Sequence, residues 1–266
     1  MINQKRIQEL LNSSFFGKYL FILSEVDSTN TFAKHKAQEG APEGTAVITD
    51  FQTAGRGRQG RIWQSDPGKN LLMSLILRPR LQARSVRCLT LAMATVLVKT
   101  LEVFIKIEQA NPPPIEVKWP NDVLVDGKKI AGILTESSIR DQYFDYIIIG
   151  IGLNVNQEVD KLDDEVSAKA TSLLEITGVQ FERERLIAHI LTNFEKYYIQ
   201  LERSNYSNIV SDWKNYWKMK GLRVQIETPL LTEWGELIEV NSHGYLLYKT
   251  DDGLEKELIA GNILQE

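Results

Sequence analysis

Apolar residues in this chain fall into short runs with strand character, separated by a few longer runs with helical spacing. YLFILSEV (19–26), TAVITDFQ (45–52) and NLLMSLILR (70–78) are compact apolar runs bounded by polar or glycine-containing segments, as buried strands are. INQKRIQELL (2–11) has the spacing of a short amphipathic helix. DSTN (27–30) offers several N-caps to a helix that continues to Gly40, a residue suited to the C′ position. Ser85 is the expected N-cap of a long apolar helix over 86–106, and the prolines at 112–114 break that segment. VLVDGKKIAGIL reads as a hairpin turning at Asp126-Gly127, and FDYIIIGIGLNVN (144–156) as a strand ending in a glycine-rich turn. Helical periodicity returns over 183–204 and again over 206–221, where Gly221 is the expected stop.

From about residue 222 the texture changes to short alternating runs separated by S-H-G and D-D-G turns. This pattern predicts a small all-β, barrel-like module of four or five strands. The whole reads as an α+β protein: a mixed β-sheet domain flanked by helices over 1–221, then the β module over 222–266.

Composition narrows the function classes. The 266 residues are 43% hydrophobic and 25% charged, enough to bury a substantial core. The net charge of −4 lacks the basic excess typical of nucleic-acid-binding domains, so any cluster of arginines is a local device. The single cysteine, Cys88, lies in an apolar helical run and reads as a small core hydrophobe. The N-terminus lacks an apolar segment of signal-peptide length, and LTLAMATVLV (89–98) is too short to span a bilayer. These features predict a cytoplasmic protein without a membrane partner.

One arginine cluster stands out in QTAGRGRQGRIW (52–63). Gly55, Gly57 and Gly60 would let successive N–H groups turn toward one point, as in an anion nest. Arg56, Arg58 and Arg61 add planar forks suited to carboxylate or phosphate. Such loops also occur as solvated turns, RNA-binding segments and protein-docking patches, and spacing alone does not separate these readings.

Further candidates lie downstream. In KWPND (118–122), Asn121 and Asp122 place two hard oxygens side by side, as suits Mg²⁺ held with substrate phosphates; a plain polar turn is the alternative. Lys129 precedes Ile130, Ala131 and Gly132, small enough together to leave room for a ligand, although an exposed strand lysine has the same pattern. Gly150 and Gly152 at a strand end imply close approach of the backbone to something, and Asn154 adds an amide.

Taken together, these segments resemble the biotin protein ligases. The motifs are D-S-T-N (Asp27–Asn30), Q-x-A-G-R-G-R-x-G-R-x-W (Gln52–Trp63), K-W-P-N-D (Lys118–Asp122), K-x-A-G-I-L-x-E (Lys129–Glu136), G-I-G-x-N-V (Gly150–Val155) and A-T-S-L (Ala170–Leu173). The resemblance covers about residues 20–175 closely and extends more loosely through the C-terminal module, which it implies is an SH3-like β-barrel. It implies activation of biotin by MgATP to biotinyl-5′-AMP, then transfer to one lysine of a biotin carboxyl carrier protein, the activity of a biotin–[acetyl-CoA-carboxylase] ligase. Carried onto this chain, it places Lys129, Arg58 and Lys118 at the reacting centre. Ser28, Thr29, Asn30, Gln52, Gly55, Arg56, Arg58, Lys129, Gly132, Leu134, Gly150 and Leu153 would surround biotin. Arg58, Arg61, Trp63, Lys118, Asn121, Lys129 and Asn154 would hold ATP, with Asn121 and Asp122 on the Mg²⁺ side.

Some members of that family carry an N-terminal helix-turn-helix domain. Only about 20 residues precede the first matched strand here, too few for such a domain. The expectation is therefore a single-function enzyme without specific DNA binding; a homodimer is left open. Two other readings compete with this one. Lipoate or octanoate ligases use a different glycine-rich motif with a nearby histidine, and none of His35, His189 and His243 lies in the arginine loop. A ligand-sensing or RNA-binding protein would use the loop without chemistry, which the acidic balance disfavours.

Overall fold

The computed structural model describes residues 1–140 and 143–264. The chain runs α1 (Gln4–Leu10), β1 (Leu20–Val26), α2 (Thr29–Gln38), β2 (Ala46–Gln52), β3 (Leu71–Leu77), α3 (Arg87–Glu108), β4 (Ile115–Lys118), β5 (Asp122–Val125), β6 (Lys128–Arg140) and β7 (Tyr143–Leu153). It continues through α4 (Asp164–Ser167), α5 (Leu173–Thr177), α6 (Arg183–Glu202) and α7 (Tyr206–Lys214). The last strands are β8 (Arg223–Glu227), β9 (Thr232–Val240), β10 (Leu246–Thr250), β11 (Glu255–Leu258) and β12 (Asn262–Leu264).

The first seven strands form one mixed sheet in the order β1-β2-β3-β7-β6-β5-β4, in which only β1 and β2 run parallel. Side chains alternate between its two faces. One face presents Leu71, Met73, Leu75, Ile147, Ile149, Ile151 and Leu153 to the main core, which also takes in the buried side chains of α3 and α6. The other face carries a smaller cluster of Val47, Ile76, Tyr146 and Ile148 under Ala33 and Ala37 of α2. Where that smaller cluster ends, the same face turns to Ser74, Gly150, Gly152, Gly132 and Leu134, aligned across β3, β7 and β6. The glycines lower the sheet surface there, and this hollow is where the functional motifs gather.

The last five strands form an antiparallel sheet in the order β11-β10-β9-β8-β12. Its apolar side chains, among them Val224, Ile226, Leu237, Leu246 and Ile263, join the main core. The module is anchored by the Trp119 indole N–H, which donates to the Gly244 carbonyl at 3.0 Å.

Most elements lie where the pattern puts them, with three corrections. Ser85 does not cap α3: it sits in a preceding 3₁₀ turn, and Val86, already helical, leads into the helix. The helix after 206 stops at Lys214 rather than Gly221, because the Tyr216 carbonyl accepts the Val117 N–H of β4 at 3.1 Å and draws the chain off the helical path. Ala83–Glu108 is long and apolar enough to cross a membrane by length and composition, although residues 89–98 alone are too short; in the structure it is a largely buried core helix. Asp126 and Gly127 both have positive φ, 51° and 73°, as the expected hairpin turn requires. Cys88 is a buried free thiol, pushed up to about 12 chiefly by desolvation.

Candidate active site

A buried hydrogen-bond network forms one end of the hollow. Thr29 stands at the start of α2, where its N–H and hydroxyl both donate to Gln52 Oε1, at 2.8 and 3.0 Å. The Ser74 hydroxyl lies 2.7 Å from Thr29 Oγ1 and 2.6 Å from Asn30 Oδ1. Asn30 Nδ2 donates to Glu136 Oε2 at 2.7 Å and to the Leu134 carbonyl at 3.3 Å. Ser28 occupies the N-cap position without a side-chain capping bond, so DSTN is more than a helix start. Gly150 has a specific neighbour: a Cβ there would sit 2.1 Å from Asn30 Oδ1.

The arginine loop is a small hairpin rather than the expected anion nest. Trp63 N–H donates to the Gly55 carbonyl, Gly57 N–H to the Arg61 carbonyl and Arg61 N–H to the Arg58 carbonyl, so these amides are turned inward. Only the tip, Gln59 and Gly60, has positive φ. The cationic character therefore resides in the side chains. Arg56 pairs with Glu136 at 3.1 Å, which ties the loop to the Asn30 network. Arg58 reaches the other way, donating through Nη1 to Asn121 Oδ1 at 3.1 Å and through Nη2 to the Gly261 carbonyl at 2.8 Å. Trp63 closes the loop by laying its indole on Gly152 and Gly132, where Cβ atoms would approach the ring to 2.5 and 3.0 Å.

Lysines complete the other end. Lys118 of β4 is directly opposite Asp122 of β5, and Asp122 is in turn opposite Gly132 of β6. Lys129 Nζ is 2.8 Å from Asp122 Oδ1 and 5.6 Å from the centre of the Trp63 ring. That approach is a charge contact and not a directed hydrogen bond, since Oδ1 has no hydrogen-bond partner among the described residues. Burial lowers the pKa of Lys118, with Asp122 opposing the shift and the charges of Lys129 and Arg61 adding to it. Burial likewise lowers that of Arg58, again opposed by Asp122. Cations thus outnumber the carboxylate at this end, a potential suited to phosphate oxygens.

The A-T-S-L segment braces this region: Thr171 N–H donates to the Lys129 carbonyl, and Lys129 N–H to the Lys169 carbonyl. Asn154 Nδ2 donates to the Thr171 carbonyl at 3.0 Å, so its amide nitrogen is committed to the scaffold. One expected biotin contact is misplaced: Leu153 is fully buried on the helix side of the sheet, because strand alternation sends it away from Gly150 and Gly152. Three contributors escaped the sequence reading. Ser74 is a lone hydroxyl in the otherwise apolar LLMSLIL strand, a signal that was available. Glu136 stood within a recognised motif without a role. Gly261 carries no signal, being 203 residues from Arg58.

Among the described residues no group of three or more His, Cys, Asp or Glu side chains gathers as a metal site. Asp122 is the carboxylate that faces Lys118, Lys129 and Arg58, which fits a Mg²⁺ ion that arrives on a ligand rather than a resident metal. The Asn121 amide, by contrast, is spent on Arg58 and on the Ile133 carbonyl.

A polar recess next to a glycine-floored hollow, leading to a group of cations, suits a ligand with a polar head, an apolar body and an anionic end. Residues 23–154 match the Biotin/lipoate A/B protein ligase family. The chain is 36% identical over 255 residues to the bifunctional ligase/repressor BirA of Bacillus subtilis, covering 96% of this chain and 77% of that protein. It is 30% identical over 225 residues to the biotin–[acetyl-CoA-carboxylase] ligase of Mycobacterium tuberculosis, covering 83% of this chain and 79% of that one. The biotin protein ligase of Aquifex aeolicus, solved with biotin and ATP, superposes with a TM-score of 0.78 at 30% identity, over 93% of this chain and 98% of that one. The chain belongs to the biotin/lipoate protein ligase family, on its biotin ligase branch.

Proposed function

We propose that this enzyme activates biotin with MgATP to biotinyl-5′-AMP and passes the biotinyl group to one lysine of a biotin carboxyl carrier protein. The observation that carries the reading is the convergence of Arg58, Lys118 and Lys129 around Asp122, at the end of a glycine-floored hollow whose other end is the Thr29–Gln52–Ser74 network. In this reading Ser28, Thr29 and Gln52 receive the polar ureido ring, with Asn30 and Gly55 fixing their geometry. Gly132, Leu134 and Gly150 floor the bicycle. Arg56, Arg58 and Lys129 face the carboxylate.

The nucleotide lies beyond, with Trp63 beside its base, Arg58, Arg61, Lys118 and Lys129 on its phosphates, and Asn121 and Asn154 as polar contacts and supports. Mg²⁺, brought in on the triphosphate beside Asp122, would neutralise phosphate charge. A biotin carboxylate oxygen attacks the α-phosphorus, the bond to the β-phosphate oxygen breaks, and pyrophosphate departs with the electron pair. The fixed cations stabilise charge that grows on the phosphate oxygens, the effect that preorganised donors supply most strongly in a water-poor site. In the second step the carrier lysine amine attacks the acyl carbon, AMP leaves, and the amine loses a proton. The division into a catalytic unit over 1–221 and a module over 222–266 belongs to the same proposal, as does a cytoplasmic setting.

The test is pyrophosphate release from MgATP with biotin, with lipoic acid, and with neither, followed by mass analysis of an added carrier domain. Biotin-dependent release and a single biotinylated lysine are expected. Release with lipoic acid in preference to biotin would overturn the substrate assignment.

A further inference from the structure

Arg87, the first residue of α3, belongs to none of the motifs, yet its position violates several elementary preferences at once. It is a cation in the first turn of a 22-residue helix, where the helix dipole favours anions. It is partly buried, and among the described residues no carboxylate lies within ion-pair distance and its buried Nε has no hydrogen-bond partner. Burial pulls its pKa down to about 10, and the neighbouring charge of Arg58 pulls in the same direction. A buried N–H is normally given an acceptor, so an orphaned one on a cation beside another arginine calls for a reason.

Its setting supplies one. The guanidinium carbon lies 5.4 Å from the centre of the Trp119 ring. Trp119 is itself immobilised by burial and by its bond to the Gly244 carbonyl. Trp119 belongs to the same K-W-P-N-D segment whose Asn121 receives Arg58. Arg87 stacks on this segment and Arg58 bonds to it, so two guanidinium groups meet the same five residues, close enough for the charge of Arg58 to act on Arg87. We propose that Arg87 is a further phosphate-binding residue of this site, holding the β- and γ-phosphates of the nucleotide and the pyrophosphate formed from them. The inference rests on the adenylating function proposed above. When the bond from the α-phosphorus to the bridging oxygen breaks, the electron pair stays on pyrophosphate, and a guanidinium stacked on the K-W-P-N-D segment would balance the charge that grows there.

Calorimetric titration of the full-length Arg87→Met enzyme tests this, with Mg²⁺-pyrophosphate, MgATP and biotinyl-5′-AMP as probes. Pyrophosphate and ATP affinities should fall tenfold or more, biotinyl-5′-AMP affinity should change less than twofold, and Arg87→Lys should recover part of the loss. ATP and pyrophosphate affinities within twofold of wild type would overturn the assignment, as would an equal loss for biotinyl-5′-AMP, which marks a merely structural role. If Arg87→Met fails to fold, the wild-type enzyme still decides: the Arg87 Nε–H resonance should shift on titration with Mg²⁺-pyrophosphate, and an unmoved resonance overturns the proposal. Wild-type enzyme that binds pyrophosphate at Arg87 but releases none from ATP with biotin would instead count against the adenylating function alone.

Discussion

Arg58 Nη2 donates to the backbone carbonyl of Gly261 at 2.8 Å, linking the arginine loop to the C-terminal β module across 203 residues of sequence. The next residues reinforce the link: Asn262 Nδ2 donates to Gln59 Oε1 and, at 3.0 Å, to Glu227 Oε2. The same guanidinium also holds Asn121, so one side chain joins the loop, the K-W-P-N-D segment and the module. The module is thereby part of the environment that sets the loop's position.

Removing this side chain should loosen the hold on the intermediate more than it slows its formation. Lys118, Lys129 and Arg61 remain as counter-charges when Arg58 becomes glycine. Arg58→Gly is expected to form biotinyl-5′-AMP but release it roughly tenfold faster or more, the scale of one lost charge-assisted hydrogen bond. Stopped-flow release of preformed adenylate, with labelling of bystander lysines as a second readout, checks this. Equal off-rates would show that the loop is held by Arg56–Glu136 and Trp63 alone.

Lys129 carries a different load. Its ammonium sits between Asp122 and the Trp63 ring, with Gly132 leaving room beside it. Lys129→Ala should cut biotin-dependent pyrophosphate release by about two to three orders of magnitude, as loss of one preorganised charge-stabilising donor does. Biotin-dependent release within threefold of wild type would remove Lys129 from the reacting centre.

The sheet was legible because its strands are compact apolar runs, and the Asp126-Gly127 turn because both residues must take positive φ. The site was legible as a set of motifs but not as contacts. Gly150 and Gly152 share strand parity while Leu153 does not, so alternation alone could have excluded Leu153 from the hollow. By contrast, the Arg58–Gly261 contact and the stop of α7 at Lys214 depend on long-range tertiary partners, which no local pattern encodes.

The two strand glycines should answer differently to an added methyl group. At Gly152 a Cβ would lie 2.5 Å from the Trp63 indole, which is only half-buried and can move. Gly152→Ala should displace Trp63, change the intrinsic tryptophan emission and slow adenylation, with little change in melting temperature. At Gly150 the clash is with Asn30, which is buried and locked by Ser74 and Glu136. Gly150→Ala should destabilise the fold by about 1–3 kcal/mol, the usual cost of overpacking. Parallel melts and emission spectra of the two variants separate these effects, and identical behaviour would contradict the geometry.

Glu195 gives the fold a defined acid sensitivity. From α6 its carboxylate accepts the backbone N–H groups of Ser14 at 2.7 Å, Phe15 at 3.0 Å and Phe16 at 3.2 Å, fixing the chain just before β1. Burial pushes its pKa up, but these three donors outweigh burial, and the net shift is downward. A carboxylate with a depressed native pKa contributes stability that is fully present above its unfolded value, about 4.3, and is lost as pH falls through the lower native value. Glu195→Gln keeps the shape and removes the charge. It should lower stability by roughly 2 kcal/mol at neutral pH, the scale of hydrogen bonds to a charged group. That difference should stay constant down to about pH 5 and shrink below about pH 4 as wild-type Glu195 takes up a proton. Urea unfolding midpoints of both proteins across this range measure the gap directly. A gap that is constant from neutral pH into the acid range would mean that the Ser14–Phe16 turn is held by packing of Phe16 against Phe194 and Tyr198, and not by the charge.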